Sequence, residues 1–423
     1  MFQHLLKQFI GSQTAKDSFI SSTGQLAASV MGAVFFALTA RFLGPKNFGI
    51  FSLALASAVI VKDLLGPAIN ANLLRFVPAQ TDKTVAYQYI KYAALIVLAY
   101  YAVISPIILV ANRFFSFVIF HQFFFALIPL TIATALGFSL AGFISGYLQA
   151  EKMFFQDALL TMAQPMLRLI FLTLVYSLGL LSIQSLLVLN LTAYVIVSVA
   201  GLSFFSPAIL ATKVSAKVRR ATNRFLPLMA ASVGTSTVTD RLNLFITNFY
   251  TSASEVSLLA VVGALFTPAK QISGSISSVL GSRFAAFQTR AEAYDYLQKA
   301  VALSSLMASL LITSMIFARP VILIIYGQAF ADAIPIFQIF TIAYAFFIFQ
   351  IPFSAMLLYF KGRSDLLAVI AGTSLILTVA ANLILIPRFG VIGAASSLVA
   401  VLIASAIITI AASFLARRHV RST

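Results

Sequence analysis

The 423-residue chain has no cysteine and no tryptophan, only 11 acidic residues and only three histidines. Each shortage removes a class of explanation. Without cysteine there is no disulfide framework, no cysteine-bound metal and no thiol chemistry. His4, His121 and His419 are too scattered for a metal centre. Without tryptophan, any interfacial aromatic belt falls to Tyr and Phe. Charged residues make up 9% of the chain, against roughly 25% in soluble domains, and no polar stretch is long enough to form a soluble domain. No phosphate-binding glycine-rich loop occurs, which excludes direct use of ATP by this chain. No cofactor is expected.

What the chain has instead is apolar length. Hydrophobic residues account for 61%, in runs near the ~20 residues that cross a bilayer as a helix. In lipid only helices and closed barrels satisfy their backbone, and the runs lack the period-2 alternation of barrel strands. The expectation is an all-α polytopic membrane protein with twelve spans, at 18–40, 48–74, 85–111, 122–148, 158–178, 183–205, 225–247, 255–282, 298–325, 333–359, 365–386 and 391–415. The N-terminal stretch MFQHLLKQFIGSQTAKD is basic and mildly amphipathic, and the run after it is longer than a signal-peptide core and lacks a clear cleavage site. It is expected to be retained.

The formal charge of +17 resembles a nucleic-acid signal until its distribution is examined. With the N-terminus placed inside, 19 of the Lys and Arg residues fall on inner segments or inner span ends and five on outer ones, with Lys62, Arg168, Arg241 and Lys270 well within spans. That is a positive-inside bias. Both termini are therefore expected in the cytoplasm, and the excess charge is topology and headgroup contact rather than nucleic-acid binding.

The chain also repeats. A shift of 208 residues lays FGIFSLALASAVIVKDLLGPAINANLLRFVPAQ (48–80) on VSLLAVVGALFTPAKQISGSISSVLGSRFAAFQ (256–288), and Lys62 falls on Lys270. GYLQAEKMFFQDALL (146–160) matches MLLYFKGRSDLLAVI (356–370), and YSLGLLSIQSLL (176–187) resembles IPRFGVIGAASSL (386–398). An even number of spans per half makes this a parallel repeat. The expected layout is a cytoplasmic segment 1–17, a six-helix lobe 18–206, a basic linker 207–224, a second six-helix lobe 225–415 and a cytoplasmic tail 416–423. The lobes should form two pseudo-symmetric bundles around a central cleft.

Ionisable groups within spans mark function, because each costs ~2.5–3.5 kcal/mol on insertion scales. Lys62 lies some ~21 Å into its span at 1.5 Å per residue, near the middle of the membrane. Lys270 occupies the matching depth. Asp63 follows Lys62 directly, and neighbours in sequence do not face each other on a helix, so Asp63 reads as a poor partner for it. Asp63 with Lys270, or Asp240 with Lys62, are alternative ion pairs. SVGTSTVTDRLNLF in the seventh span, with Thr235, Ser236, Thr237, Asp240 and Arg241, is too polar to face lipid. Arg168 sits near mid-span in the fifth. With Asp63 and Asp240 as the acids counted within spans, the cations are in excess, and a wet cleft of that sign attracts anions. Lys and Arg both bind phosphate. Glu255 and Asp332 are the outward acids, read as unpaired.

ARFLGPKNFGIFSLALA (40–56) resembles the opening signature of the polysaccharide biosynthesis and O-antigen flippases, in the multidrug/oligosaccharidyl-lipid/polysaccharide exporter superfamily. DLLGPAINANLLRFVPAQ (63–80), TDRLNLFITNFYTSASEVSLLAVVGALF (239–266), LYFKGRSDLL (358–367) and NLILIPRFGVIGAASSLVA (382–400) are similar to its later segments. The resemblance implies a V-shaped transporter of twelve helices. Its substrate would be an undecaprenyl-pyrophosphate-linked oligosaccharide moved from the inner to the outer leaflet of the cytoplasmic membrane. Helices 1, 2, 7 and 8 would line the cleft, putting Lys62, Lys270 and Arg241, with Arg168 as a further candidate, on the substrate's path. Asp63 and Asp240 are candidates for ion pairing or for H+ or Na+ coupling. Implied partners are membrane lipids and a polysaccharide polymerase or glycosyltransferases. The alternative is an ion-coupled drug antiporter of the same superfamily.

Overall fold

The computed structural model describes residues 13–416, with side chains from Ile20 onward except at a few helix positions. The terminal stretches 1–12 and 417–423, with Lys7, Arg417, Arg418 and Arg421, lie outside the described residues. The elements are α1 (Gln13–Asp63), α2 (Gly66–Phe76), α3 (Lys83–Val110), α4 (Asn112–Phe120), α5 (Leu127–Ala150), α6 (Phe154–Ser177) and α7 (Ile183–Leu202). They continue with α8 (Ala208–Ala211), α9 (Ala216–Tyr250), α10 (Ala253–Ala286), α11 (Arg290–Thr313), α12 (Ala318–Tyr326), α13 (Ala333–Ala355) and α14 (Ser364–Leu415). The described residues contain no strand.

Nine helical segments among the described residues are long and apolar enough to cross a membrane. Two of them hold two of the expected spans each, and α9 supplies the twelfth. The sequence suggested loops between spans one and two and between eleven and twelve. Instead α1 turns at Gly44 (φ 70°) and α14 at Gly390 (φ 56°). Glycine takes this left-handed backbone without a Cβ clash, so two helices meet at a sharp kink at each of these residues. Side chains set other starts: Asp82 accepts from Thr84 N–H at 2.7 Å before α3, and Ser182/Ser185 and Thr289/Glu292 form capping boxes before α7 and α11.

The chain divides into two compact units, residues 1–43 with 50–241, and residues 44–49 with 242–423. The first is centred on Ile69, Leu73, Ile90, Ala135 and Leu148. Phe76 stacks on Tyr89 at 5.0 Å. The segment expected as a linker, 207–224, lies along α3 in this unit. Lys91 Nζ donates to the carbonyls of Leu210 (2.6 Å) and Thr212 (2.9 Å), and Tyr92 donates to Asn223. The second unit is centred on Phe284, Leu297, Ile351 and Met356. Phe266 stacks on Tyr344 at 4.7 Å, and Tyr326 donates to Val261 O at 3.0 Å.

The repeat is visible in backbone geometry. The aligned blocks place Lys152 on Gly362 and, aligned from their ends, Gly179 on Gly390, and all four have positive φ, from 56° to 69°. The Phe76–Tyr89 contact has a counterpart in Phe284–Tyr296 at 5.3 Å. Each half also carries a nine-residue helix after its third span, α4 and α12; the sequence reading left the first in a loop and merged the second into the ninth span.

Candidate functional site

The second span breaks at the residues that carry its charges. Pro67 has no N–H to give Asp63 O, and its ring crowds the carbonyl four residues back. α1 accordingly ends at Asp63, Leu64 and Leu65 form a turn, and α2 begins with Gly66–Pro67 at its first positions. At the break Leu65 N–H turns to Lys62 O (3.3 Å), which leaves Val61 O without its helical donor. Tyr100 of α3 supplies one from its hydroxyl at 2.8 Å.

The break decides how Lys62 and Asp63 meet. Lys62 Nζ lies 2.7 Å from Asp63 Oδ1, with the side chains 30% and 15% exposed. This corrects the expectation that adjacent residues on the span cannot pair. That rule assumes a helix that continues, whereas Asp63 is the last residue of α1, and the lysine's four-carbon stem reaches across the turn. The other carboxylate oxygen, Oδ2, accepts from Thr237 of α9 at 3.3 Å. Leu64 packs against Gly234 of the same helix, where a Cβ would come within 3.4 Å of it.

A cavity of about 270 Å³ opens beside this pair, wholly within the first unit. Lys62, Pro67, Asn70, Phe138, Ser139 and Gly142 are among its walls. Ser139 shares a 2.7 Å hydrogen bond with Tyr101. Asn70 Oδ1 is buried without a hydrogen-bond partner among the described residues. It lies against Gly146, at a spot where any Cβ would sit 2.5 Å away. Asn72, two residues further along α2, is fully buried, and neither atom of its amide is bonded among the described residues. The walls carry one cation and no acid, so the cavity suits a ligand with anionic oxygens.

The remaining predicted residues sit elsewhere. Lys270 is exposed on α10, an unbroken helix, with its ammonium 5.8 Å over the Tyr344 ring. Arg168 is buried in the first unit, 4.8 Å over Phe35, and donates to Asn190 Oδ1 at 3.3 Å. It ties spans one, five and six together and does not line the Lys62 cavity. Arg241 is half-buried on α9. The Asp240 side chain, like those of Thr235 and Ser236, lies outside the described residues.

Sequence reasoning missed several polar groups. Asp157, placed just before the fifth span, is buried in the first turn of α6 and accepts from Ser145 (2.6 Å) and Gln149 (2.9 Å). It adds an acid to the within-span count. Glu255, read as unpaired, accepts from Val391 N–H at 3.0 Å and secures the Gly390 turn. In the second unit Asn382 of α14 donates to Asn243 of α9 and accepts from Ser397. A lone Asn in an apolar run, as at 190 and 382, was the available signal. Outside the spans, burial and the nearby Arg290 hold the Lys361 ammonium below the ordinary lysine range, and its Nζ donates to Ala416 O at 2.6 Å.

A profile of the family described as polysaccharide biosynthesis protein matches residues 14–287. No curated protein matches the chain. Among solved structures, an inward-facing multidrug-resistance MATE family transporter of the MOP superfamily is 15% identical. It superposes with a TM-score of 0.72 over 92% of this chain and 94% of its own. The lipid II flippase MurJ, in an inward closed conformation, is 14% identical, with a TM-score of 0.72 over 94% and 86%. An outward-facing MATE family transporter is 15% identical, with a TM-score of 0.67 over 96% and 97%. These likenesses establish the fold, an all-helical architecture of the kind seen in those three proteins.

Proposed function

For a chain that belongs to the polysaccharide biosynthesis protein family, we propose that it works as a flippase for polyprenyl-pyrophosphate-linked oligosaccharides of the undecaprenyl type. The lipid would pass from the inner to the outer leaflet of the cytoplasmic membrane by alternating access through a cationic cleft, and both termini would face the cytoplasm. The observation that carries this reading is Lys62 on the wall of a cavity whose lining includes no acidic side chain. A pyrophosphate with sugars cannot cross hydrocarbon unaided, while its polyprenyl tail can stay in lipid. A half-buried ammonium offsets part of the lost hydration of the phosphates. Lys270 and Arg241 would serve the same anion at other points of its path, with Arg168 holding the first lobe in shape. Asp240 is the remaining candidate for H+ or Na+ coupling. An inside-negative potential by itself favours outward movement of an anion, by ~2.3 kcal/mol per charge per 100 mV. A polymerase or glycosyltransferases would be the natural protein partners.

The test is complementation of a strain lacking this gene. Lys62→Ala and Lys270→Ala, singly and together, should abolish surface polysaccharide while the protein still inserts at normal levels. Wild-type polymer from the double variant would overturn the reading. A second reading, an ion-coupled drug antiporter, is favoured by the multidrug transporters among the structural neighbours. Under it, expression would confer resistance to cationic dyes, and Asp63→Asn or Asp240→Asn would remove that resistance.

A further inference from the structure

We infer that Asp63 is an internal competitor for the anion, a carboxylate that holds Lys62 while the cavity is empty and must yield it when a phosphate arrives. The inference rests on the flippase reading and adds a residue that sets how tightly the substrate is held. Four observations converge on it. The ion pair is short, 2.7 Å, and its lysine lines the cavity. Asp63 itself is not among the cavity walls, so a ligand can reach the ammonium without displacing the carboxylate from the cavity. The pair stands at the end of α1, where the turn Leu64–Leu65 frees both side chains from the helical rows. Finally, Asp63 has a second donor in Thr237, at 3.3 Å. It therefore retains a hydrogen bond after Lys62 leaves.

The chemistry explains why a chain would keep an acid beside its anion-binding lysine. An unpaired ammonium at this depth is costly, and its affinity for pyrophosphate would be high. Asp63 lowers both: it compensates the charge in the empty state, and each binding event must first break the pair. A translocation site needs binding favourable enough to load and weak enough to release. The aligned position in the second half is Gln271, so the device belongs to the first half alone.

The test is binding of farnesyl pyrophosphate to the purified full-length protein in detergent, with farnesol as the uncharged control. Wild type, Asp63→Asn, Lys62→Gln and the double variant are compared by calorimetry. Removing the competitor should tighten pyrophosphate binding roughly five- to tenfold, the scale of one partly exposed ion pair. In the Lys62→Gln background the same Asp63→Asn change should have little effect, because nothing is left to compete for. An equal gain in both backgrounds would mean that Asp63 acts only through its field, and would overturn the inference. Unchanged binding in Asp63→Asn, with the wild type binding normally, would overturn it while leaving the flippase reading intact. Absence of pyrophosphate-dependent binding in every variant would overturn that reading and the inference together. Asp63→Ser, with a smaller uncharged side chain, repeats the measurement should Asp63→Asn fold poorly, and the same direction is expected.

Discussion

The second span of each half carries a lysine at the same aligned position, yet the two settings differ. In the first half Pro67 interrupts the helix, Lys62 is pinned by Asp63, and Tyr100 covers the carbonyl exposed by the break. In the second half Ser275 stands where Pro67 does, α10 continues through it, and Lys270 lies over the face of Tyr344. A carboxylate steadies one cation and an aromatic quadrupole steadies the other. Duplication has kept the charge and its aligned position while the counter-group and the backbone diverged. The lesson is that a repeat transmits position more faithfully than environment. A single proline is enough to change which neighbours a side chain can reach.

Exchanging the backbone feature is the strongest way to break this contrast. Ser275→Pro would place a proline in the middle of continuous helix, without the turn and tyrosine that accommodate Pro67. The expected cost is ~3 kcal/mol or more, read as a large fall in melting temperature and in monodisperse yield from detergent. Next in size is the polar anchor of the first lobe. Asn190→Leu removes the acceptor of the buried Arg168 and should destabilise by about 2 kcal/mol. A comparable melting temperature in wild type and variant would show that the Arg168–Phe35 contact alone holds the arginine.

Tyr100→Phe then tests the break directly. It leaves Val61 O without its donor and should cost about 1–2 kcal/mol, with faster backbone hydrogen exchange confined to residues around 61–66. Exchange spread evenly over the lobe would mean that the hydroxyl does not cap the break. The smallest effect belongs to the other half. Lys270→Gln removes a cation–π contact at an exposed site and should cost only ~0.5 kcal/mol, a change in melting temperature close to the error of the measurement. A loss as large as that of Tyr100→Phe would show that Lys270 is as deeply built into its lobe as Lys62 is into the first.

Much of the fold could be read along the chain. The spans and the parallel repeat followed from residue order. The structure added the kinks at Gly44 and Gly390, which a reading of apolar runs takes for loops because a kink and a short loop both appear as a glycine close to a proline and a basic residue. The site was legible only in part. Lys62 was found by its cost. Its pairing with Asp63 was misjudged because the consequence of Pro67, four residues on, is a matter of helix continuity rather than spacing. Asp157 was missed because a boundary drawn one residue late put it in a loop, and Asn190 because an uncharged amide in an apolar span draws no attention until its arginine is seen beside it.

By itself, the sequence determined that this is a multi-pass helical membrane protein built from two copies of one six-span plan. The reason is local: a backbone in lipid must bond to itself, so an apolar run of sufficient length has one outcome. Which buried charges meet was decided only by tertiary structure. Thr237 reaches Asp63 from 174 residues away in the chain, and Tyr100 reaches Val61 from 39. Such contacts depend on where a helix stops and which neighbour fills the gap, and these are properties of packing that no stretch of sequence contains.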